Sequence, residues 1–354
     1  MISKGTTLFR LALTSSLLLL AVLGVQSAFA QQPPRTLEAA RAIEFIRASQ
    51  QPDGGFGPLG QTLDAVFALR SAGIAPGSVE ADGANPEQYL LANIADATGT
   101  ASIAAKSALG AAAMDLDPRN MDGVDLIAAI EVSFDAETGL YASDAFNQSV
   151  AIVGLACTGN TVPDQALEAL ENMANEDGGW GFDGFSDPDT TAIAIQALAT
   201  AGAVDTPALQ AGVAMIQATQ LEDGGWGFGE SNTSSTSYVI QALIAVGHNP
   251  DGPEYRAATS VPLDYIASQQ GPDGSFSGFD RAFSTNQAVP ALLGRTFCDS
   301  PATVLGSVSL EDPVPPSTGA GLHSPNAGDR LGLLLALGVL LATLGGSGLI
   351  AKLR

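Results

Sequence analysis

Thr62, Ser102, Gln148, Thr191, Thr236 and Thr285 fall in one column when the apolar segments of the chain are aligned on their Ala-Leu or Gly-Leu steps. Gln61, Ala101, Asn147, Thr190, Ser235 and Ser284 precede them. All are expected at the N-terminal ends of helices, where hydroxyls, amides and free backbone N–H groups can line one mouth of a cavity. Such a mouth suits a small ligand rich in amide, hydroxyl or anionic groups. Ordinary N-capping selects the same residue types, so a structural role competes with the binding role. Asp187 and Asp189 flank Pro188 at one of these helix starts, where they serve either as caps or as a proton donor with an acidic neighbour. Tyr238 and Phe67 are among the few aromatic residues on the apolar helices. With only His248, His323, Cys157 and Cys298 and no CxxC, zinc held by three or four protein ligands is not expected, and no metal is assigned.

The elements that position these residues follow from a repeat. Asn175–Gly184 reads NEDGGWGFDG, and relatives occur at Leu221–Glu230, Gln51–Gly57 and Gly271–Asp280. Weaker copies at Ala95–Gly99 and Glu137–Tyr141 complete a series of marks 40 to 50 residues apart, which implies six units. Each mark reads as the bend of a helical hairpin. An amphipathic helix such as Leu37–Gln50 precedes it, and glycine supplies the left-handed conformation that ends that helix. A more apolar helix such as Thr190–Gly202 follows, greasy nearly all round and therefore buried on both sides.

The two ends of the chain carry export and retention signals. Met1–Ala30 has Lys4 and Arg10, an apolar run and a small-residue exit at Ala28-Phe29-Ala30, the pattern of a signal peptide. Leu331–Ala351 is uncharged and lies between Arg330 and a basic tail, which predicts a C-terminal transmembrane anchor over 330–354. Residues 301–329 form a tether rich in Pro, Gly and Ser. Residues 31–329 carry a net charge of −28, with Lys106 the single lysine, and such a surface excludes nucleic acid as a partner. Export permits Cys157 and Cys298 to pair, although a ring of six units would set their helices far apart.

Gln-x-x-Asp-Gly-x-[Phe/Trp] stands at Gln50–Phe56, Gln220–Trp226 and Gln270–Phe276, and Ala174–Trp180 has Ala in place of Gln. It resembles the repeat of squalene and terpenoid cyclases and of protein prenyltransferase β-subunits. That resemblance implies an all-α fold, an α/α toroid of six helical hairpins closed into a double ring, over 31–300. Ser284–Phe297, which includes Gln287, is similar to the stretch that closes the α-domain of the transcobalamin and intrinsic factor group, and this implies a corrinoid as one possible ligand. Ser186–Ala192 resembles the cyclase D-x-D-D-T-A stretch, with Asp187 and Asp189 matching the first two acids and Thr190 standing where the third would be. Pro315–Gly319 resembles a sortase sorting signal, with Pro315 in place of Leu, which would place wall attachment at Thr318.

These features predict an exported, surface-held toroid, non-catalytic, that binds a small polar ligand or a cell-envelope protein. The candidate ligand contacts are Thr62, Gln148, Asp189, Thr191, Thr236, Tyr238, Thr285 and Gln287. The alternatives are a terpenoid cyclase with Asp189 as general acid, and a structural or adhesive module.

Overall fold

The computed structural model describes residues 35–299. Twelve α-helices alternate between long and apolar, and short or amphipathic. They are α1 (Thr36–Ala48), α2 (Leu59–Ser71), α3 (Pro86–Ala92), α4 (Ala101–Ala113), α5 (Leu126–Glu131) and α6 (Ala145–Cys157), followed by α7 (Asp164–Asn172), α8 (Pro188–Thr200), α9 (Pro207–Ala218), α10 (Thr233–Ala245), α11 (Pro262–Ser268) and α12 (Arg281–Leu292). In α8 ten of thirteen residues are buried, whereas α7 buries only Ala166 and Leu170, so the even-numbered helices form the inner ring. Each inner helix packs on the next, α2 on α4 through α10 on α12, and α12 packs back on α2 and α1.

The repeat loops join neighbouring units. In the complete copies the Asp carboxylate accepts from the backbone N–H two residues on, as Asp177 does from Gly179 at 3.1 Å and Asp223 from Gly225 at 3.1 Å. The preceding glutamine ties the loop to the following unit: Gln50 Nε2 donates to Val79 O and Gln220 Nε2 to Tyr255 O. The buried indoles of Trp180 and Trp226 each donate Nε1–H, at 2.7 Å, to a carbonyl of the preceding outer helix, Leu170 O and Ile216 O.

The sixth loop makes the same contacts with the first unit, and this closes the ring. Gln270 Nε2 donates to Glu38 O at 2.7 Å, Arg35 N–H donates to Leu292 O at 2.9 Å, and Arg281 stacks on the Phe45 ring. Gly274 has φ +85°, and a Cβ there would collide with the carbonyl of Arg41, so both conformation and proximity require glycine at this seam.

After α12 the chain crosses the ring at the C-terminal end of the inner helices. Phe297 meets Phe67 of α2 edge-on at 5.4 Å, and Cys298 forms a disulfide with Cys157 at the end of α6. Because α6 and α12 are opposite members of the ring, the segment Gly294–Asp299 spans that end and plugs it. The sequence-based expectation that the cysteines lie too far apart overlooked this crossing.

The expected fold class needs one correction. Among the described residues no helix is long and apolar enough to cross a membrane, the longest having 13 residues. The expected anchor, the tether, the sorting-like motif and the signal peptide lie outside the described residues. A two-residue hairpin, β1 (Gly181–Phe182) paired antiparallel with β2 (Phe185–Ser186), stands just before α8 and leaves the fold all-α.

Candidate functional site

The polar column predicted from sequence has a local task. Thr191 Oγ1 accepts from Trp180 N–H at 2.9 Å and donates to Trp180 O at 3.0 Å, and Thr236 serves Trp226 in the same way at 2.9 and 3.3 Å. Thr62 accepts from Phe56 N–H and donates to Gly57 O, and Thr285 accepts from Phe276 N–H and donates to Arg281 O. In the third unit the amide of Gln148 replaces the hydroxyl: Oε1 accepts from Tyr141 and Ala142, and Nε2 donates to Gly139 O and Ala166 O. These side chains are turned to the loops and their hydrogen-bonding capacity is used there. Ser102 is out of the column, because Thr100 caps α4 and the equivalent fourth residue is Ala104.

Position four after each cap faces the loops, so positions two and six face the opposite way, toward the axis of the ring. The first rung of axial residues is Gly60, Ser102, Phe146, Asp189, Ser234 and Phe283. The second is Asp64, Lys106, Val150, Ile193, Tyr238 and Gln287, with α12 displaced by one residue. Contacts across the lumen agree with this register. The Lys106 ammonium donates to Asp64 at 2.8 Å, Gln287 Nε2 donates to the same carboxylate at 3.1 Å, and Phe146 meets Tyr238 edge-on at 6.5 Å. Asp189, Ser234, Phe283, Gly60, Lys106 and Val150 keep partial exposure, so water reaches this end of the axis down to the second rung. The opposite end is closed by the plug.

Asp187 caps α8, accepting from Thr190 N–H and Thr190 Oγ1, each at 2.8 Å. Pro188 at the first helical position fixes the entry and directs Asp189 inward. Burial pushes the Asp189 carboxyl up to about 7, the neighbouring Asp187 carboxylate adds to the rise, and the hydroxyl of Ser235 opposes it. Burial likewise raises Asp187 against the pull of the Thr190 bonds. It raises Asp64 against the opposing attraction of Lys106 and Gln287. Tyr238 is raised by burial and by the nearby Asp64 and Asp189. Asp189 Oδ1 and Gln287 Oε1 are buried without a hydrogen-bond partner. An ammonium at 2.8 Å keeps Asp64 an acceptor, so Gln287 must offer it Nε2 and leave Oε1 facing elsewhere.

Of the sequence-predicted contacts, Asp189, Tyr238 and Gln287 thus come together at the axis, while Thr62, Gln148, Thr191, Thr236 and Thr285 do not. Asp64, Lys106, Phe146 and Phe283 were missed. A charge inside an otherwise apolar helix, as in Leu63-Asp64-Ala65 and Ala105-Lys106-Ser107, is the signal that marks two of them. Among the described residues no three His, Cys, Asp or Glu side chains come together to hold a metal, and His248 is bonded to Tyr255 OH at 2.7 Å.

No protein-family model matches the sequence, and no curated protein matches it. Solved structures do share the architecture. Type II terpene cyclase MstE from Scytonema superposes with a TM-score of 0.54 at 16% identity, covering 72% of this chain and 96% of the cyclase. A protein from Actinoplanes gives 0.57 at 14% identity, covering 73% and 98%. A variant of the Scytonema enzyme in complex with geranylgeranyl dihydroxybenzoate as substrate gives 0.50 at 14% identity, covering 72% and 95%. The chain has the α/α-toroid fold of the terpenoid cyclases. At these identities the likeness concerns the fold alone. The comparisons do not show the corrinoid-carrier resemblance expected for Ser284–Phe297, and this stretch forms α12, the seam and the plug.

Proposed function

We propose that the protein is an exported binding module whose open mouth takes the polar head of a small ligand at Asp189, Tyr238 and Gln287. The observation that carries this reading is the pair of buried, unpartnered acceptors, Asp189 Oδ1 and Gln287 Oε1, at the end of the axis that water reaches. A buried polar atom without a partner costs about 1–3 kcal/mol, and a ligand that supplies a donor recovers that energy. Export is supported by the pattern of Met1–Ala30 together with the disulfide, which persists in oxidising compartments. Arg35 stands beside Leu292 and Asp299 in the plug, so both lie at the closed end of the toroid, opposite the mouth. That orientation suits capture of a ligand or of a cell-envelope partner.

Native mass spectrometry of the purified chain after exposure to a cell-envelope extract tests the proposal. A saturable small molecule is expected on the intact protein and not on Asp189→Asn. A chain that carries none after exposure, while remaining folded, contradicts it.

One observation favours a second reading, proton-initiated isoprenoid chemistry. Asp187-Pro188-Asp189-Thr190 sits at the mouth with the Asp189 carboxyl raised to about 7, so that it retains a proton below neutral pH, in a fold shared with type II terpene cyclases. Burial that raises a carboxyl also weakens it as an acid, and no cation or cluster of donors stabilises its conjugate base beyond Ser235. Incubation with squalene and with geranylgeranyl-bearing phenols separates the two readings, since cyclised product that vanishes in Asp189→Asn requires the catalytic one.

A further inference from the structure

Three features of the open mouth specify the ligand's chemistry beyond its being small and polar. The first is the sign of the missing partners. Asp189 Oδ1 and Gln287 Oε1, the latter on a residue only 2% exposed, are acceptors, so the ligand must bring donors. The second is aromatic lining, because Phe146 and Tyr238 meet across the axis and Phe283 stands on the rung above Gln287. Aromatic faces beside a carboxyl attract a cation and offer little to an anion. The third is the rim. Phe185, Phe228 and Phe279 are 79%, 40% and 57% exposed and lie on the three consecutive loops that lead into α8, α10 and α12, giving half of the mouth an apolar edge.

We infer that the mouth binds an amine-bearing ligand, an alkylammonium whose charged head sits against Asp189, Gln287 and Tyr238 and whose apolar body lies on the phenylalanine rim. The inference rests on the binding reading and names its ligand class. Lys106 does not oppose it, since its ammonium is held by Asp64 at 2.8 Å and the pair is neutral. The net charge of −28 on residues 31–329 draws cations to the molecule and repels carboxylates and phosphates. The head has to be compact because the Phe146–Tyr238 contact crosses the axis just beneath it.

The charged and titratable groups around Asp189 are Asp187 at the cap of its own helix, Asp64 and Lys106 on α2 and α4, and Tyr238 on α10. From α6 and α12 come Phe146, Phe283 and Gln287, none of them charged. A bound ammonium favours the ionised form of Asp189 and displaces its proton. Affinity should therefore rise with pH through the neutral range, by about tenfold between pH 6 and pH 8.

Isothermal titration of the purified chain with octylammonium, octan-1-ol and octanoate, each at pH 6 and pH 8, tests the inference. Octylammonium is expected to bind saturably and about tenfold tighter at pH 8, and Asp189→Asn to abolish that pH dependence. Phe185→Ser, an exposed substitution that leaves the fold intact, should weaken binding several-fold at both pH values. Octanoate or octanol binding as tightly as octylammonium would overturn the ligand class and leave the binding reading standing. An octylammonium affinity that is flat with pH would overturn the assignment to Asp189. Failure of all three probes to bind rejects the alkylammonium inference, and the envelope-extract experiment then judges the binding reading separately.

Discussion

The two ends of the ring are built from the same six helices and have opposite characters. At the C-terminal end of the inner helices, Phe297, Thr296 and the Cys157–Cys298 disulfide fill the opening with apolar and covalent contacts. At the N-terminal end, polar groups line the axis, two buried acceptors lack partners, and water reaches the second rung. The plug fills one end, and the threonine-to-loop bonds satisfy the loop backbone at the other. Function is assigned to the open mouth because there two of the buried, unpartnered acceptors stand where water reaches the axis.

The largest expected effect comes from unfastening the closed end. The disulfide closes a loop of 141 residues, for which the chain-entropy relation gives about 5 kcal/mol. Cys157→Ser with Cys298→Ser should lower the melting temperature by about 10 °C or more, measured by calorimetry, and leave ligand affinity at the mouth unchanged. A large loss of affinity in this variant would show that the two ends are not independent.

Next in size is the ion pair on the axis. Lys106→Met leaves the Asp64 carboxylate, 3% exposed, without its cation, a change that typically costs about 3–5 kcal/mol. Adding Asp64→Leu to the same chain should restore most of that loss in urea titrations, because an apolar pair of similar volume replaces the ionic one. A double variant as unstable as the single one would mean that Lys106 stabilises the ring through something other than Asp64.

A smaller effect is expected in the loops. Thr191→Val removes the acceptor for the Trp180 N–H and the donor to Trp180 O, leaving buried backbone groups unpaired at a cost of about 1–3 kcal/mol. Its consequence should be confined to stability, with affinity at the mouth retained. Loss of affinity without loss of stability would return Thr191 to the binding site that its sequence position suggested.

The fold was legible because the repeat is written in residues with few substitutes. Gly274 needs a positive φ beside the Arg41 carbonyl, and Trp180 needs a buried slot with an acceptor at Leu170. Such constraints recur at intervals that can be read from the chain. The candidate site was legible only in part. Aligning the apolar helices picked out Thr191 and its equivalents because they recur, and they recur because each loop needs the same bonds. The axial face carries no repeat: Gly60, Ser102, Phe146, Asp189, Ser234 and Phe283 are mostly unlike, so periodicity could not find it. Asp189 was picked out by its place in the Asp187–Thr190 stretch, and the isolated charges Asp64 and Lys106 were the further signal on this face. Pairing of Cys157 with Cys298 depended on where Gly294–Asp299 runs, and no pattern in the sequence encodes that path.

Asp189 supplies the most direct measurement at the mouth. Its carboxyl, raised to about 7 by burial and by Asp187, holds its proton in the folded chain over the window from about pH 4 to pH 7, where the unfolded chain has released it. Stability should accordingly fall as pH rises through that window and level off above it, and Asp189→Asn should lack this part of the slope. The carboxyl carbon of Asp189 can be followed by ¹³C NMR across the same range and assigned by its absence in Asp189→Asn. A titration midpoint near 7 is expected, moving lower when the mouth is saturated with octylammonium. A midpoint near 4 that ignores the ligand would mean that Asp189 faces solvent as an ordinary cap, and the site at the open mouth would be lost with it.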